Sequence, residues 1–266
     1  PKAGVLTALP LAALAAFAPH AAATNGDQML GLSAIQNGMA GAVVAAPQDA
    51  TTVLVNPAGM AELSIKEVRF DLGVGFLNPP RSVNGVESDS NLYMMPAGAA
   101  NFRVNDRLTL GMGLGGLSGM GVDFADVAAA PGNQSVVTTK QFFKVAPGFA
   151  YRIDDRLSLG ATINLNYQSL ALSTPAYTLP QTQGFGWGVT AGLVWKATDT
   201  VQSGAAWSSK QRMDELEWNA AAGKFSMRMD APQTLAVGMA WRPAAGLLVE
   251  ADVKQIWFSQ VLDRVA

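Results

Sequence analysis

The sequence predicts an all-β protein, a transmembrane antiparallel β-barrel, on three observations. Residues 157–167 alternate strictly between apolar residues and small or polar ones. This period of two gives a strand one apolar and one polar face, and about 9–11 residues is the length with which a tilted strand crosses a bilayer. A strand–turn–strand unit recurs along the chain. Beyond the N-terminus no run of 18 or more apolar residues occurs, which excludes a protein that crosses the membrane with helices.

The recurring unit has an aromatic and then a basic residue at the end of an incoming strand, followed by a short turn and an outgoing strand. Residues 102–111 match residues 151–160 almost position for position, and looser copies begin at Trp195 and Trp241. An aromatic girdle at one membrane interface, with short turns on that side, gives this pattern. A propeller also has a period in this range, but its strands are too short for the observed alternation. We therefore prefer the membrane barrel.

The composition excludes several classes of function. The 266 residues include no Cys and a single His, His20, which falls in a predicted leader, and the formal net charge is −2. A mature chain without His or Cys has no thiol nucleophile, no Ser-His triad and none of the usual zinc sites. It also has no basic surface for nucleic acid. We therefore predict no enzyme activity, no cofactor, no metal site and no nucleic-acid partner.

Residues 1–23 have the features of a secretory signal peptide. A positive residue, an apolar segment and a small-residue cleavage site follow each other in the expected order, at Lys2, residues 5–18 and residues 21–23. We expect the mature chain to begin at or near Thr24.

Residues 24–64 lack strand alternation and are rich in Gly, Ala and small polar residues. Near their end, Asn56 precedes Pro57, which restricts Asn56 to an extended conformation and commonly starts a turn. Such a segment has little core of its own. We expect it to pack against something larger; a flexible N-terminal arm is the alternative.

The motifs of this segment resemble those of the long-chain fatty acid and aromatic hydrocarbon transporters of Gram-negative outer membranes, the FadL/TodX group. They are Gly38-Met39-Ala40-Gly41, Asp49-Ala50-Thr51-Thr52 and Asn56-Pro57-Ala58-Gly59-Met60. The paired turns Arg-Val-Asn-Asp-Arg-Leu and Arg-Ile-Asp-Asp-Arg-Leu are also similar to those of the family. The resemblance implies a fourteen-stranded outer-membrane barrel with an N-terminal hatch inside it. Residues 24–64 then correspond to the hatch, with Asp49, Asn56, Pro57, Ala58 and Gly59 as its motif.

Residues 65–266 are predicted to contain nine barrel strands with apolar side chains on the outer face. They are expected at about 66–77, 91–103, 107–117, 140–152, 156–172 and 184–196, then from Thr200, from Leu235 and from Val249, the last with Glu250, Asp252 and Lys254 in the lumen. An odd number is unusual for a bacterial barrel. Against the fourteen strands of the family, the chain is expected to be C-terminally incomplete by about five.

The third predicted strand is crowded with glycines, which in a strand often mark a bulge or the close approach of another backbone. In the family this strand is kinked inward and opens a gap in the wall, through which an apolar ligand leaves sideways. Carried over to this sequence, the resemblance implies a kink at Gly113, Gly115 and Gly116. A glycine-rich strand fitted around the hatch, without an opening, is the alternative.

A side exit suits an apolar solute. Each CH₂ group of the solute that stays buried is stabilised by about 0.8 kcal/mol relative to water, and this stabilisation would be lost in an aqueous channel. Met94, Met95, Leu117, Met120 and Phe124 are candidates for the path, and Arg69 and Lys144 for a carboxylate head group. Ordinary lipid-facing positions and lumen ion pairs are the alternative roles.

The predicted function is passive uptake of a hydrophobic small molecule, a long-chain fatty acid or related lipid or hydrocarbon, by a barrel that is monomeric and surrounded by outer-membrane lipid. The loops near 173–183 and 209–223 are shorter than those of the fatty-acid transporters, which leaves a smaller hydrocarbon or a different lipid open. A general porin for polar solutes and a structural or adhesive surface barrel are the alternatives. The hatch-like residues 24–64 argue against an open pore.

Overall fold

The computed structural model describes residues 28–83, 85–124, 136–175, 177–220 and 223–262. The predicted signal peptide and residues 24–27 lie outside these ranges. In chain order the elements are α1 (Ala34–Gly38), the 3₁₀ helices η1 (Ala50–Leu54) and η2 (Pro57–Ala61), β1 (Val68–Leu77), β2 (Ser82–Val83), β3 (Val86–Glu87), β4 (Tyr93–Arg103), β5 (Leu108–Asp123), β6 (Val137–Arg152), β7 (Leu157–Ser173), β8 (Thr178–Lys196), β9 (Val201–Ser208), β10 (Arg212–Met213), β11 (Glu215–Ala220), β12 (Gly223–Arg228), β13 (Thr234–Ala244), β14 (Leu247–Ile256) and α2 (Ser259–Leu262). No helix in the described ranges combines the length and apolar character that a membrane span requires.

The long strands form one antiparallel sheet in the order β1-β4-β5-β6-β7-β8-β9-β13-β14, and β10 pairs with β8. Every strand on this path pairs antiparallel with its neighbour. Within the described residues β1 and β14 are the two ends of the path, and the sheet is not closed. The all-β antiparallel prediction is therefore confirmed, whereas the fourteen-stranded count and the hatch stay predictions.

Several strands extend beyond their predicted ends. β5 continues to Asp123 instead of ending near 117, and β8 already begins at Thr178. The predicted loop at 173–183 is therefore a short connection between two long strands. The predicted loop near 209–223 contains β10 and β11, and β11 pairs with β12, which begins at Gly223. The residues by which these strands exceed their predicted ends are polar or break the apolar alternation. The alternation therefore did not predict them as strand, although their backbones pair with neighbouring strands.

The two faces of the sheet differ in chemistry. One face, here the outer face, carries large exposed apolar side chains at alternate positions, and on β1 these include Val68, Phe70 and Leu72 at 60%, 65% and 71% exposure. The opposite, inner face contacts residues 28–64, here the N-terminal segment. An apolar surface of this extent is expected against acyl chains and is rare on a protein in water.

The repeated turns have a common hydrogen-bonding pattern. Asn105 Oδ1 accepts from the N–H groups two and three residues later, both at 2.9 Å, and Asp154 Oδ1 does the same at 2.8 Å. In the third copy the hydroxyl of Thr198 replaces the carboxamide or carboxylate. The donors on Arg156 and Leu157 lower the pKa of Asp154. The first turn residue of each of these copies therefore has the same role: its side-chain oxygen caps the N–H groups of a tight turn.

The N-terminal segment lies directly on inner-face glycines of the sheet. On β8, a Cβ at Gly192 would overlap Asn56 Oδ1 and would lie 2.9 Å from Pro57 Cδ. A strand carrying larger inner-face residues would push this segment away. Gly192 thus marks a contact with the N-terminal segment, and Gly160 on β7 and Gly204 on β9 do the same.

Replacing Gly192 by alanine is expected to destabilise the folded protein by about 1–3 kcal/mol, the usual consequence of overpacking. The measurement is urea unfolding of the refolded protein in detergent micelles, followed by tryptophan fluorescence. Gly73→Ala on β1 is the matched control, because a Cβ there meets nothing within 4 Å. Equal stability of the two variants would contradict the close contact.

Candidate functional site

The N-terminal segment is built from two capped turns. Asp49 is the N-cap of η1 and accepts from Thr51 N at 3.0 Å, while Asn56 is the N-cap of η2 and accepts from Ala58 N at 3.2 Å. Pro57 occupies the first turn of η2, where its missing N–H is not needed. The motif residues therefore start two short helices, since Asp and Asn side chains satisfy the free N–H groups of a helix start.

Asn56 also joins the segment to the sheet. Its Nδ2 donates to the carbonyl of Val44 at 2.7 Å and to that of Leu193 on β8 at 3.1 Å, and the residue is 1% exposed. Gly59 leaves no room for a side chain, because a Cβ there would lie 2.9 Å from Pro47 Cβ. Asp49, Asn56, Pro57, Ala58 and Gly59 are all buried.

Two carboxylates of β14 hold the extended part of the segment. Asp252 Oδ2 accepts from Val43 N at 2.9 Å and Val44 N at 3.0 Å. Glu250 Oε1 accepts from the next two N–H groups, at 2.8 and 2.9 Å. Four consecutive backbone donors thus have carboxylate partners from one strand.

The basic residues of the repeat hold the end of the segment. Arg103 donates to the carbonyl of Leu63 at 3.1 Å, Arg152 donates to the carbonyl of Ala61, and Lys196 pairs with Glu62 at 2.5 Å. The sequence predicted only an interfacial girdle from this repeat. Its basic member in three copies instead binds the segment.

Strand β5 changes partners where its glycines lie. Its pairing with β4 ends at Ala97–Gly115, and its pairing with β6 shifts register between Gly116 and Ser118. Leu117 is the extra residue, and this arrangement is a β-bulge. Beyond Gly115, β5 no longer pairs with β4.

The N-terminal segment replaces part of the lost pairing. Met29 N donates to Leu117 O at 2.9 Å, and Gln28 forms a bridge with Ser118. Before the bulge, a Cβ at Gly113 would lie 2.7 Å from Leu54 Cγ and one at Gly115 3.3 Å from Leu54 Cδ1. Two of the three predicted kink glycines therefore contact the segment, and the irregularity follows immediately after Gly116.

A cavity of about 680 Å³ lies between the segment and the inner face. Its apolar residues come from the segment, from the bulge and from β6, and include Met29, Leu30, Leu32, Leu54, Leu117 and Phe142. Its charged and amide donors on the strands include Lys140, Lys144, Gln168, Arg228 and Lys254. This volume is in the range of pockets for small organic ligands.

Lys144 and Gln168 are the most buried donors of the cavity. Lys144 is 6% exposed and Gln168 2%. Within the described residues, Lys144 has no hydrogen bond or ion pair and Gln168 Nε2 has no acceptor. Lys254 reaches Gln28 Oε1 only at 3.5 Å. Of the acidic groups beside them, Asp252 accepts from backbone N–H groups through Oδ2 while its Oδ1 has no partner, and Asp230 pairs with Lys210 at 3.3 Å. The cavity is thus apolar with unmatched donors at one side.

The two predicted head-group residues differ in surroundings. Arg69 pairs with Asp71 at 2.8 Å and donates to the carbonyl of Gln48 at 2.9 Å, so its guanidinium supports the N-terminal segment. Lys144 lies in the cavity with Leu117. The structure therefore brings Lys144 and Leu117 together and leaves Arg69 apart.

The remaining predicted path residues lie around the end of the β4–β5 pairing. Met94 is 63% exposed on the outer face, and Met95 Cε lies 2.9 Å from the position of a Cβ on Gly116. Phe124 is buried in a small apolar cluster beyond β5. The backbone of Met120 belongs to β5, but its side chain lies outside the described residues.

Gln168 and Lys254 were not predicted as site residues. The alternation of β7 continues past residue 167 and places Gln168 on the inner face, and Lys254 was expected in the lumen. The alternation of residues along each strand predicts that both side chains lie on the inner face. Only the positions of the neighbouring strands show whether a side chain on that face has a hydrogen-bonding partner.

Comparisons with known proteins give the family and the fold of the chain. Residues 12–263 match the sequence model of a family described as outer membrane protein transport protein (OMPP1/FadL/TodX). No curated protein sequence matches the chain.

Solved structures show the same fold. The Ralstonia pickettii toluene transporter TbuX is 20% identical, with a TM-score of 0.74 over 87% of this chain and 73% of that chain. The P. putida toluene transporter TodX is 20% identical, with a TM-score of 0.71 over 88% and 72%. A Pseudomonas aeruginosa FadL homologue is 16% identical, with a TM-score of 0.68 over 88% and 70%.

Replacing both Glu250 and Asp252 by alanine is expected to release residues 43–46, because four N–H groups lose their acceptors and each buried unpaired group costs about 1–3 kcal/mol. Hydrogen–deuterium exchange should become faster at these amides in the refolded protein. Glu217→Ala, on the exposed β11–β12 hairpin, is the control and should leave this exchange unchanged. Unaltered protection at 43–46 in the double variant would contradict the role of the carboxylates.

Proposed function

The chain belongs to the OMPP1/FadL/TodX family of outer-membrane transport proteins, and we propose that it takes up long-chain fatty acids or related lipids with an anionic head group. It is accordingly an outer-membrane β-barrel protein of a Gram-negative bacterium that transports hydrophobic compounds. The cavity beside Lys144 is the observation that carries the choice of ligand.

The lining of the cavity supports a ligand with two chemically different parts. Leu32, Leu54 and Phe142 provide an apolar surface for a hydrocarbon chain. Gln168 Nε2 is a buried donor without an acceptor, and the Lys144 side chain, which borders the cavity, has no hydrogen bond or ion pair within the described residues; an oxyanion would satisfy both. A buried ammonium without a partner is unfavourable, so a carboxylate that enters with an apolar chain stabilises both.

Aromatic hydrocarbons are the second candidate ligand. The two toluene transporters have the same fold as this chain, and most of the cavity is apolar. A hydrocarbon without a head group would bind the apolar part and leave the donors of Lys144 and Gln168 unsatisfied. This difference separates the two candidates experimentally.

Lys144→Met is expected to weaken binding of a C16 fatty acid by about 10- to 100-fold, since a hydrogen bond to a charged group contributes about 1.5–3 kcal/mol. Toluene binding should change little, because methionine preserves the apolar stem. The measurement is displacement of a fluorescent fatty acid from the purified protein in detergent. Lys224→Met on the exposed hairpin is the control, since Lys224 pairs there with Glu217 at 3.0 Å.

Two results would contradict this ligand. One is binding of toluene but not fatty acid by the unaltered protein. The other is an equal loss of both ligands in Lys144→Met, which would indicate a structural role for the lysine.

The N-terminal segment acts as the hatch, and the ligand leaves sideways between β4 and β5. This part of the proposal is supported by the end of their pairing at Ala97–Gly115 and by the bulge at Leu117, which borders the cavity. Pro96 supports it as well, because a residue without an N–H is tolerated where a strand becomes an edge. An apolar ligand on this route passes from cavity to lipid without exposure to water.

Gly116→Trp is expected to reduce fatty-acid uptake into liposomes to less than about a tenth, because the indole would fill the space between β4 and β5. Binding in the cavity should be retained. Met239→Trp, on the outer face of β13 and five strands along the path from β5, is the matched control for folding and uptake. Normal uptake by a folded Gly116→Trp protein would contradict the lateral route.

A further inference from the structure

The unpaired stretch between β4 and β5 is a window with defined ends. Its lower end is the last pair, Ala97–Gly115. Its upper end is a set of contacts between β5 and the residues before and at the start of β4: Tyr93 Oη donates to Gly121 O at 2.7 Å, and Asp89 N donates to Asp123 O at 2.9 Å. Between these two ends β4 does not pair with β5, and at Leu117 and Ser118 the partners of β5 are Met29 and Gln28 of the N-terminal segment.

The side chain of Met95 crosses this window. Met95 pairs with Gly75 on β1 and shares the inner-face parity of Ala97. Its Cε nevertheless lies 2.9 Å from the position of a Cβ on Gly116, and that position is 3.3 Å from Phe143 Cε1. Phe142 lines the cavity and so lies on the inner face, and the next residue, Phe143, therefore lies on the outer face. Gly116 pairs with Phe143 and lies on the same, outer face. The side chain therefore begins on the inner face and ends at the outer one.

We propose that Met95 is the gate of this window and that its side chain sets the width of the ligand that can pass. The inference rests on the proposed function, because it assumes a ligand that leaves the cavity between β4 and β5. Met95 does not line the cavity, so it acts on passage and not on binding.

The chemistry of Met95 suits a gate that opens often. An unbranched thioether has three rotatable side-chain bonds and makes adaptable apolar contacts. No hydrogen bond of its side chain occurs within the described residues, and Gly116, which its Cε approaches, has no side chain, so a change of rotamer moves the thioether away from Gly116 without breaking a hydrogen bond. A β-branched residue at 95 would be restricted at its first side-chain torsion and would block the window more permanently.

The absence of Cys in the chain allows a direct test. Met95→Cys shortens the side chain by two heavy atoms and is expected to raise uptake of a C16 fatty acid into liposomes about fourfold, the factor that corresponds to about 0.8 kcal/mol. Methyl methanethiosulfonate then rebuilds a side chain of methionine length and should restore the original rate. Benzyl methanethiosulfonate adds a phenyl ring and should lower the rate below that of the unaltered protein.

Two controls isolate the gate. Met94→Cys, on the outer face one residue away, should show no dependence on either reagent. Displacement of a fluorescent fatty acid should give the same affinity for all Met95 derivatives.

The outcomes separate the gate from the proposed function. If the unaltered protein binds and passes fatty acid but uptake is independent of the group at position 95, the gate is overturned and the function stands. If Met95→Cys raises ion conductance without raising fatty-acid uptake, the window leads to water and the gate is also overturned. If the unaltered protein neither binds nor passes fatty acid, the proposed function itself fails.

Discussion

The backbone of the N-terminal segment depends on the side chains of the sheet for its hydrogen bonds. The segment has only one short α-helix and two 3₁₀ helices, and the N–H groups of residues 43–46, which lie outside them, have their acceptors on the sheet. In a dry interior each such group must be paired. Asp252 and Glu250 supply acceptors, while Gln202 donates to Ala45 O at 2.6 Å and Asn101 to Ala50 O at 3.1 Å. The positions of these wall residues therefore determine the path of the segment.

The requirement that backbone groups be paired also applies to the strands of the sheet. Where Met29 donates to Leu117 O, the N-terminal segment takes over a hydrogen bond of β5, and β4 loses its neighbour at that point. The bulge, the end of the β4–β5 pairing and the contact with the N-terminal segment therefore occur together, at residues 115–118 of β5. This arrangement brings the cavity next to the only stretch of the β4–β5 boundary, within the described strands, that lacks backbone pairing.

The cavity and the window place different demands on a ligand. In the proposed mechanism, the donors of Lys144 and Gln168 would select for a head group that accepts hydrogen bonds while the ligand is bound. Met95, whose Cε lies beside Gly116, would select for the cross-section of the ligand while it leaves. Separating affinity from passage in this way lets a transporter bind its ligand well and still release it.

The sequence by itself determined the strands, their faces and their turns, because these follow from a period of two and from side chains that cap turns within three residues. It also located the motif at Asn56 and the glycines of β5, whose unusual composition is local. Loops were misjudged where polar strands continue beyond the apolar alternation, as at Thr178 and Asp123. Only the tertiary structure decided that Arg69 has a carboxylate partner and Lys144 does not, that the bulge falls at Leu117, and that Met95 reaches Gly116. Each of these depends on which strands are neighbours and how they are aligned, and residues far apart in the chain carry no local signal of that alignment.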